Sequence, residues 1–186
     1  PFGRIADLTC RKRILVLGIL IFSLSSAGAI FGISMWMLVL LRIIQGLGGA
    51  MIFSTNTAVL ISAFPGKDRG KVLGYSIAST YVGLSAGPVV GGFLNHQLGW
   101  RSIFALTAVI GFIVLIIAWR KLPRAECENR GSSYDISGSL LYVAMIVLTI
   151  YGLSELKVQM LPIAMLVCGL LLGVIFVCRE LKAKDP

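Results

Sequence analysis

The run Met37–Phe64, MLVLLRIIQGLGGAMIFSTNTAVLISAF, is apolar almost from end to end. It lacks the period-2 alternation of a half-buried strand and exceeds the roughly 20 residues with which a helix crosses about 30 Å of hydrocarbon. In lipid every backbone N–H and carbonyl must pair within its own segment or in a closed barrel, so a continuous apolar run becomes a helix. Long for one crossing and short for two, it is expected to tilt or project beyond the bilayer. Arg42 is the anomaly within it. An arginine near a helix centre costs about 2.5–3.5 kcal/mol on insertion scales, reduced when the side chain snorkels from nearer the outer end. At 100° per residue, Arg42, Gln45, Gly49 and Asn56 share a sector of about 60°. Such a stripe faces other helices or a water-filled cavity; the competing reading is an arginine reaching headgroups, with Gln45 and Asn56 bonding between helices.

The same criteria give five more spans: Ile14–Ile33, Val72–Leu94, Ile103–Trp119, Ile136–Leu153 and Leu161–Val177. The fold class expected is an all-α integral membrane protein with six transmembrane helices. Composition agrees, since only 13% of the 186 residues are charged, against about 25% in soluble domains. An ordinary soluble domain is thereby excluded. The net charge of +9 would raise nucleic acid as a partner, but the basic residues cluster between apolar runs without interleaved aromatics, and no nucleic acid is expected.

Orientation follows from those clusters. Arg4, Arg11, Lys12 and Arg13, then Lys67, Arg69 and Lys71, then Arg120, Lys121, Arg124 and Arg130, then Arg179, Lys182 and Lys184 all fall on one side. The other side holds Arg101 and Lys157 alone. The asymmetry predicts a multi-pass protein of the cell membrane with both ends of this chain cytoplasmic. Trp36 and Trp100 would mark the outer interface and Trp119 the inner one. Cys10, Cys127, Cys168 and Cys178 have no zinc spacing and read as free thiols. The opening at Pro1 has no signal-peptide core and reads as an internal piece of a longer protein.

The charged stretch after the fourth span is read as a linker, giving residues 1–120 as part of one helix bundle, 121–135 as a cytoplasmic linker, 136–178 as two further helices and 179–186 as a tail. In the third span Ser79, Gly83, Gly87 and Gly91 recur every fourth position, with Pro88 and Gly92 beside them. Small residues so spaced make a flat ridge for another helix, and Pro88 removes a hydrogen bond and bends the rod. The contact reads equally as static packing or as a moving one, since such ridges serve both. The Gly46–Gly49 cluster lies inside an apolar run with no preceding strand and is not a nucleotide loop. His96 is expected in an outer loop, and Asp135 as a helix cap. Nothing clusters as a membrane metalloenzyme or protease requires, so no enzyme, metal or cofactor is expected. Between Ile14 and Trp119 the only acid is the loop residue Asp68, so a membrane-embedded proton carrier must lie elsewhere.

These residues, in this order, resemble the major facilitator superfamily, and more narrowly its fourteen-helix drug:proton antiporter branch. Gly3, Ile5, Ala6, Asp7, Arg11, Lys12 and Leu15 are similar to the first cytoplasmic signature, with Leu8 in place of a basic residue and Cys10 in place of a glycine. Leu38, Arg42, Gln45, Gly46, Gly48 and Ala50 resemble the fourth-helix signature, and Gly83, Gly87, Pro88, Gly91 and Gly92 the fifth-helix antiporter signature. Trp100, Arg101, Ile103 and Phe104 are similar to the entry of the sixth helix; Asp135 and Gly138 resemble the start of an extra seventh. The resemblance implies helices three to eight of a transporter, without its first two helices or its second half. It implies as partners a small amphipathic substrate, protons, the lipid bilayer and the missing helices, with Arg42, Gln45 and Asn56 in a proton-coupling cavity. It further implies a cytoplasmic latch of Gly3, Asp7, Arg11 and Lys12, and no transport by these residues alone. The alternatives are an importer of sugars or organic acids, a non-transporting scaffold and a gene fragment.

Overall fold

A computed structural model describes residues 3, 5–6, 9–64, 66–122, 136–154 and 160–181. They form six helices: α1 (Arg11–Ile30), α2 (Met35–Ala63), α3 (Arg69–Leu98), α4 (Arg101–Lys121), α5 (Ile136–Ser154) and α6 (Met160–Glu180). Each is long and apolar enough to cross a membrane, and each overlaps one expected span.

Capping moves the boundaries. α1 stops three residues before the expected Ile33 because the Phe31 and Gly32 N–H groups turn back to the Gly28 and Ala29 carbonyls, both at 3.1 Å. Ser34, in extended conformation, then caps α2, its Oγ accepting the Met37 N–H at 3.2 Å. An oxygen that satisfies one of the bare first-turn donors sets a helix start that hydropathy alone cannot see. α3 runs past both expected ends and stops at Gly99, whose φ of +79° suits glycine. His96, expected in a loop, therefore lies in the last turn of α3.

The chain divides into a unit carrying α1–α4 and a unit carrying α5 and α6. In the first, α1 is the central rod and packs on both α2 and α4. Its covered face holds Ile14, Leu15 and Ile19 near one end, then Ser23, Ser25, Ser26 and Ala29. Each serine hydroxyl donates to a carbonyl one turn back: Ser23 to Ile19 at 2.7 Å, Ser25 to Ile21 at 2.6 Å and Ser26 to Phe22 at 2.7 Å. The hydroxyls are thus satisfied where no water is at hand. Small side chains also bring backbones together. A Cβ placed on Gly48 of α2 would stand 2.8 Å from both the Gly18 carbonyl oxygen and the Phe22 nitrogen of α1. No L side chain fits there without moving a backbone.

At the start of α1 the Lys12 ammonium donates to the Trp119 carbonyl at 3.4 Å and to the Leu122 carbonyl. A cation on the unpaired carbonyls of a helix end is favourable, and here it ties α1 to α4. Cys168 and Cys178 are free thiols. Cys10 is disulfide-bonded, which overturns the expectation of free thiols at that position. Spacing along the chain carries no information about which sulfurs approach in space. Cys127 lies outside the described residues.

In the second unit α5 and α6 pack closely. A Cβ on Gly152 would meet the Leu166 nitrogen at 2.6 Å, and one on Gly169 the Thr149 nitrogen at 2.8 Å. Arg179 donates to Ser137 Oγ at 2.7 Å, and the Tyr142 and Phe176 rings lie 5.5 Å apart. Asp135 and Glu155, which flank α5, lie outside the described residues.

Candidate functional site

α2 carries Arg42 into a groove between α1, α2 and α4. The groove has a volume of about 540 Å³ and is lined by Phe22, Arg42, Gln45, Phe53, Phe104 and Thr107, among others. Arg42 Nη1 donates to Gln45 Oε1 at 2.8 Å, one helical turn along α2. Gln45 Nε2 in turn donates to Ser26 Oγ of α1 at 2.7 Å. On its other side the Arg42 guanidinium carbon lies 4.6 Å from the centroid of the Phe104 ring of α4. Two helices therefore meet on one cation, and the third joins through Gln45.

The electrostatics of this arrangement depend on the chemistry of the partners. An amide oxygen and an aromatic face both attract a guanidinium, yet neither carries a formal charge to cancel it. Arg42 is exposed while Gln45, at 6%, is buried. The guanidinium is thus held through Nη1 by a buried amide while Arg42 lines the groove.

Of the expected stripe, Arg42 and Gln45 come together, with Gly49 on the groove wall. Asn56 does not join them. Fourteen residues beyond Arg42 at 1.5 Å per residue, it sits about 21 Å further along the axis. Its Nδ2 instead donates to Ser76 Oγ of α3 at 3.4 Å. A shared helix face is a long strip, and only its neighbouring turns touch one another. Asn56 also lines a second, more apolar groove of about 540 Å³ with Leu15, Ile19, Thr107, Gly111 and Ile117.

Gly83, Gly87, Gly91 and Gly92 line an open side of α3: a Cβ added at any of them meets nothing within 4 Å among the described residues. Pro88 lies inside α3 as expected from the sequence. Of the latch residues, Gly3 lies beside α2, where an added Cβ would be 4.0 Å from Ser54 Cβ. Lys12 is bonded to the end of α4. Arg11 begins α1, and Asp7 lies outside the described residues. Sequence reading missed Ser26, and it singled out Phe104 only as similar to the entry of the sixth helix, not as a partner of Arg42. The cluster Ser23, Ser25 and Ser26 inside an apolar span was the available signal for the first.

Comparison with known proteins bears on the family. A riboflavin transporter, RibZ, of Clostridioides difficile is 28% identical over 184 residues, covering 99% of this chain and 40% of that protein. The multidrug resistance protein Stp of Mycobacterium tuberculosis is 33% identical over 152 residues, covering 81% of this chain and 28% of that protein. The puromycin resistance protein of Streptomyces alboniger is 32% identical over 189 residues, covering 99% of this chain and 37% of that protein. The chain thus spans about two fifths or less of the length of these relatives. Residues 1–133 match the family model of the Major Facilitator Superfamily, and the six helices long and apolar enough to cross a membrane are in keeping with that match. The chain is a multi-pass membrane protein of a transporter family, not of an enzyme family: it belongs to the Major Facilitator Superfamily.

Proposed function

We propose that these helices serve a proton-coupled exporter of small amphipathic compounds, of the fourteen-helix drug:proton branch. The observation that carries this reading is Arg42, anchored by neutral partners and turned with its charge into a groove between three helices. A cation in that position lowers the pKa of a carboxylate brought near it by a helix outside the described bundle. Proton release there is favoured while the two are close and disfavoured when they part. Secondary transporters bind substrate near the bilayer midplane between two halves that rock about it, which links this proton step to the opening of the cavity. The resistance proteins among the relatives support export of organic compounds. Riboflavin belongs beside drugs in a first substrate screen because of the similarity to RibZ.

Within this reading Gly83, Gly87, Gly91 and Gly92, with Pro88, form the surface on which a helix of another part of the transporter slides. Gly3, Asp7, Arg11 and Lys12 form a cytoplasmic latch that breaks when the inner side opens. Residues 1–120 belong to one bundle, 121–135 to a linker, 136–178 to two inserted helices and 179–186 to a tail. Both ends face the cytoplasm; reporter tags at Pro1 and Pro186 should both report that side, and tags on opposite sides would remove the assignment.

The central test is Arg42→Ala in the complete transporter. Proton-driven export in energised vesicles should fall to background while the protein remains inserted at normal levels. Undiminished export would take Arg42 out of the mechanism.

A further inference from the structure

We propose that Ser26 on α1 and Phe104 on α4 are positioning residues that together hold Arg42 aimed into the groove, a role that rests on the coupling function proposed above. Neither belongs to the polar stripe of α2. Phe104 touches Arg42 directly, and Ser26 acts on it through Gln45.

The Ser26 side of the clamp is directional. Arginine has only donors, so whatever faces it must accept. Gln45 offers either an oxygen or an NH₂ group, and its orientation decides whether it holds the cation or repels it. Ser26 settles that choice. Its single O–H is committed to the Phe22 carbonyl at 2.7 Å, which leaves its lone pairs for the Gln45 Nε2 donor at 2.7 Å. With the NH₂ group so engaged, Oε1 points at Arg42. Ser26 is fully buried, so no water competes for these bonds.

The Phe104 side fixes the guanidinium plane. Phe104 is 9% exposed, and the edge of its pairing with Trp100 lies at 5.9 Å between centroids with planes at 86°. Trp100 is covered in turn by Arg101, whose guanidinium carbon lies 4.9 Å from the indole ring. Arg101 Nη2 donates to the Gly32 carbonyl, just past the end of α1, at 3.3 Å. The ring that Arg42 rests on is therefore braced from the outer end of two helices. A long flexible side chain this close to a helix end would otherwise snorkel to headgroups. The clamp holds it in the groove and leaves its charge uncancelled.

The test measures two fluxes from one preparation of the complete transporter in vesicles: proton-driven export, and substrate exchange without a proton gradient. Phe104→Leu keeps an apolar side chain but removes the aromatic face, and should lower proton-driven export about 5- to 30-fold while exchange persists. Phe104→Tyr should restore it. Fluorinated phenylalanines placed at position 104 withdraw electron density from the ring at nearly constant shape, and export should fall stepwise with fluorination. Ser26→Ala, which frees the Gln45 amide to turn over, should lower proton-driven export about 2- to 10-fold. A flat response to fluorination together with normal export by Ser26→Ala, beside an inactive Arg42→Ala, would overturn the clamp and leave the coupling reading standing. Normal export by Arg42→Ala would overturn both. Equal losses of export and exchange along the fluorinated series would show packing alone and also overturn the proposal.

Discussion

α1 and α3 are both apolar rods studded with small residues, and they use them oppositely. α1 has eight buried residues in 20; α3 has none in 30. On α1 the small positions are occupied: Gly18 lies against Gly48 of α2, and Ser23 against Gly111 of α4. On α3 the glycine ridge is bare, and the helix is joined to its neighbours by few contacts, among them Asn56–Ser76 and Ser102 Oγ to the Leu94 carbonyl at 3.2 Å. Spacing of four marks a surface smooth enough for a second backbone, but not which backbone arrives. The two helices show the two outcomes: one ridge is filled inside this unit, and the other is left open among the described residues.

A paired substitution sets the two ridges against each other. In the purified 186-residue chain, Gly48→Leu drives a side chain into the α1 backbone and should cost about 1–3 kcal/mol or more, lowering Tm by ~2–12 °C. Gly87→Leu should leave the melting of this chain nearly unchanged and yet stop export by the complete transporter. If both variants melt alike, the contrast between the ridges is wrong. The smallest effect concerns the link between α2 and α3. An interhelical hydrogen bond in a membrane protein is worth about 0.6 kcal/mol on average, so Asn56→Ala should lower Tm by only ~1–3 °C. Its clearer mark should be faster amide exchange confined to α3, with the rates in α1 unaltered; equal acceleration in both would tie α3 into the core more firmly than its contacts suggest.

The number and approximate limits of the helices were legible because hydrocarbon imposes one length and one hydrogen-bonding solution on every span. Arg42 was legible for the same reason: a charge is conspicuous against such a background. What was hidden lies between helices. Ser26 and Gln45 are separated by 19 residues in the chain, and only the packing of α1 on α2 makes them neighbours. Phe104 was quoted for its resemblance to a helix entry, but nothing in the order of residues places it against Arg42, 62 positions away. Asn56 was grouped with Arg42 by angle, which ignores the rise that separates them. The caps at Ser34 and Gly99 shifted helix ends because they depend on single atoms and single dihedral angles, to which averages over an apolar run are blind. The disulfide at Cys10 was equally invisible to spacing.

The hairpin of α5 and α6 carries all the fastenings it needs for its own crossing, from Arg179 on Ser137 at one end to Gly152 against Leu166 at the other. For biogenesis this means that the two rods can zip together as soon as the ribosome has delivered the second.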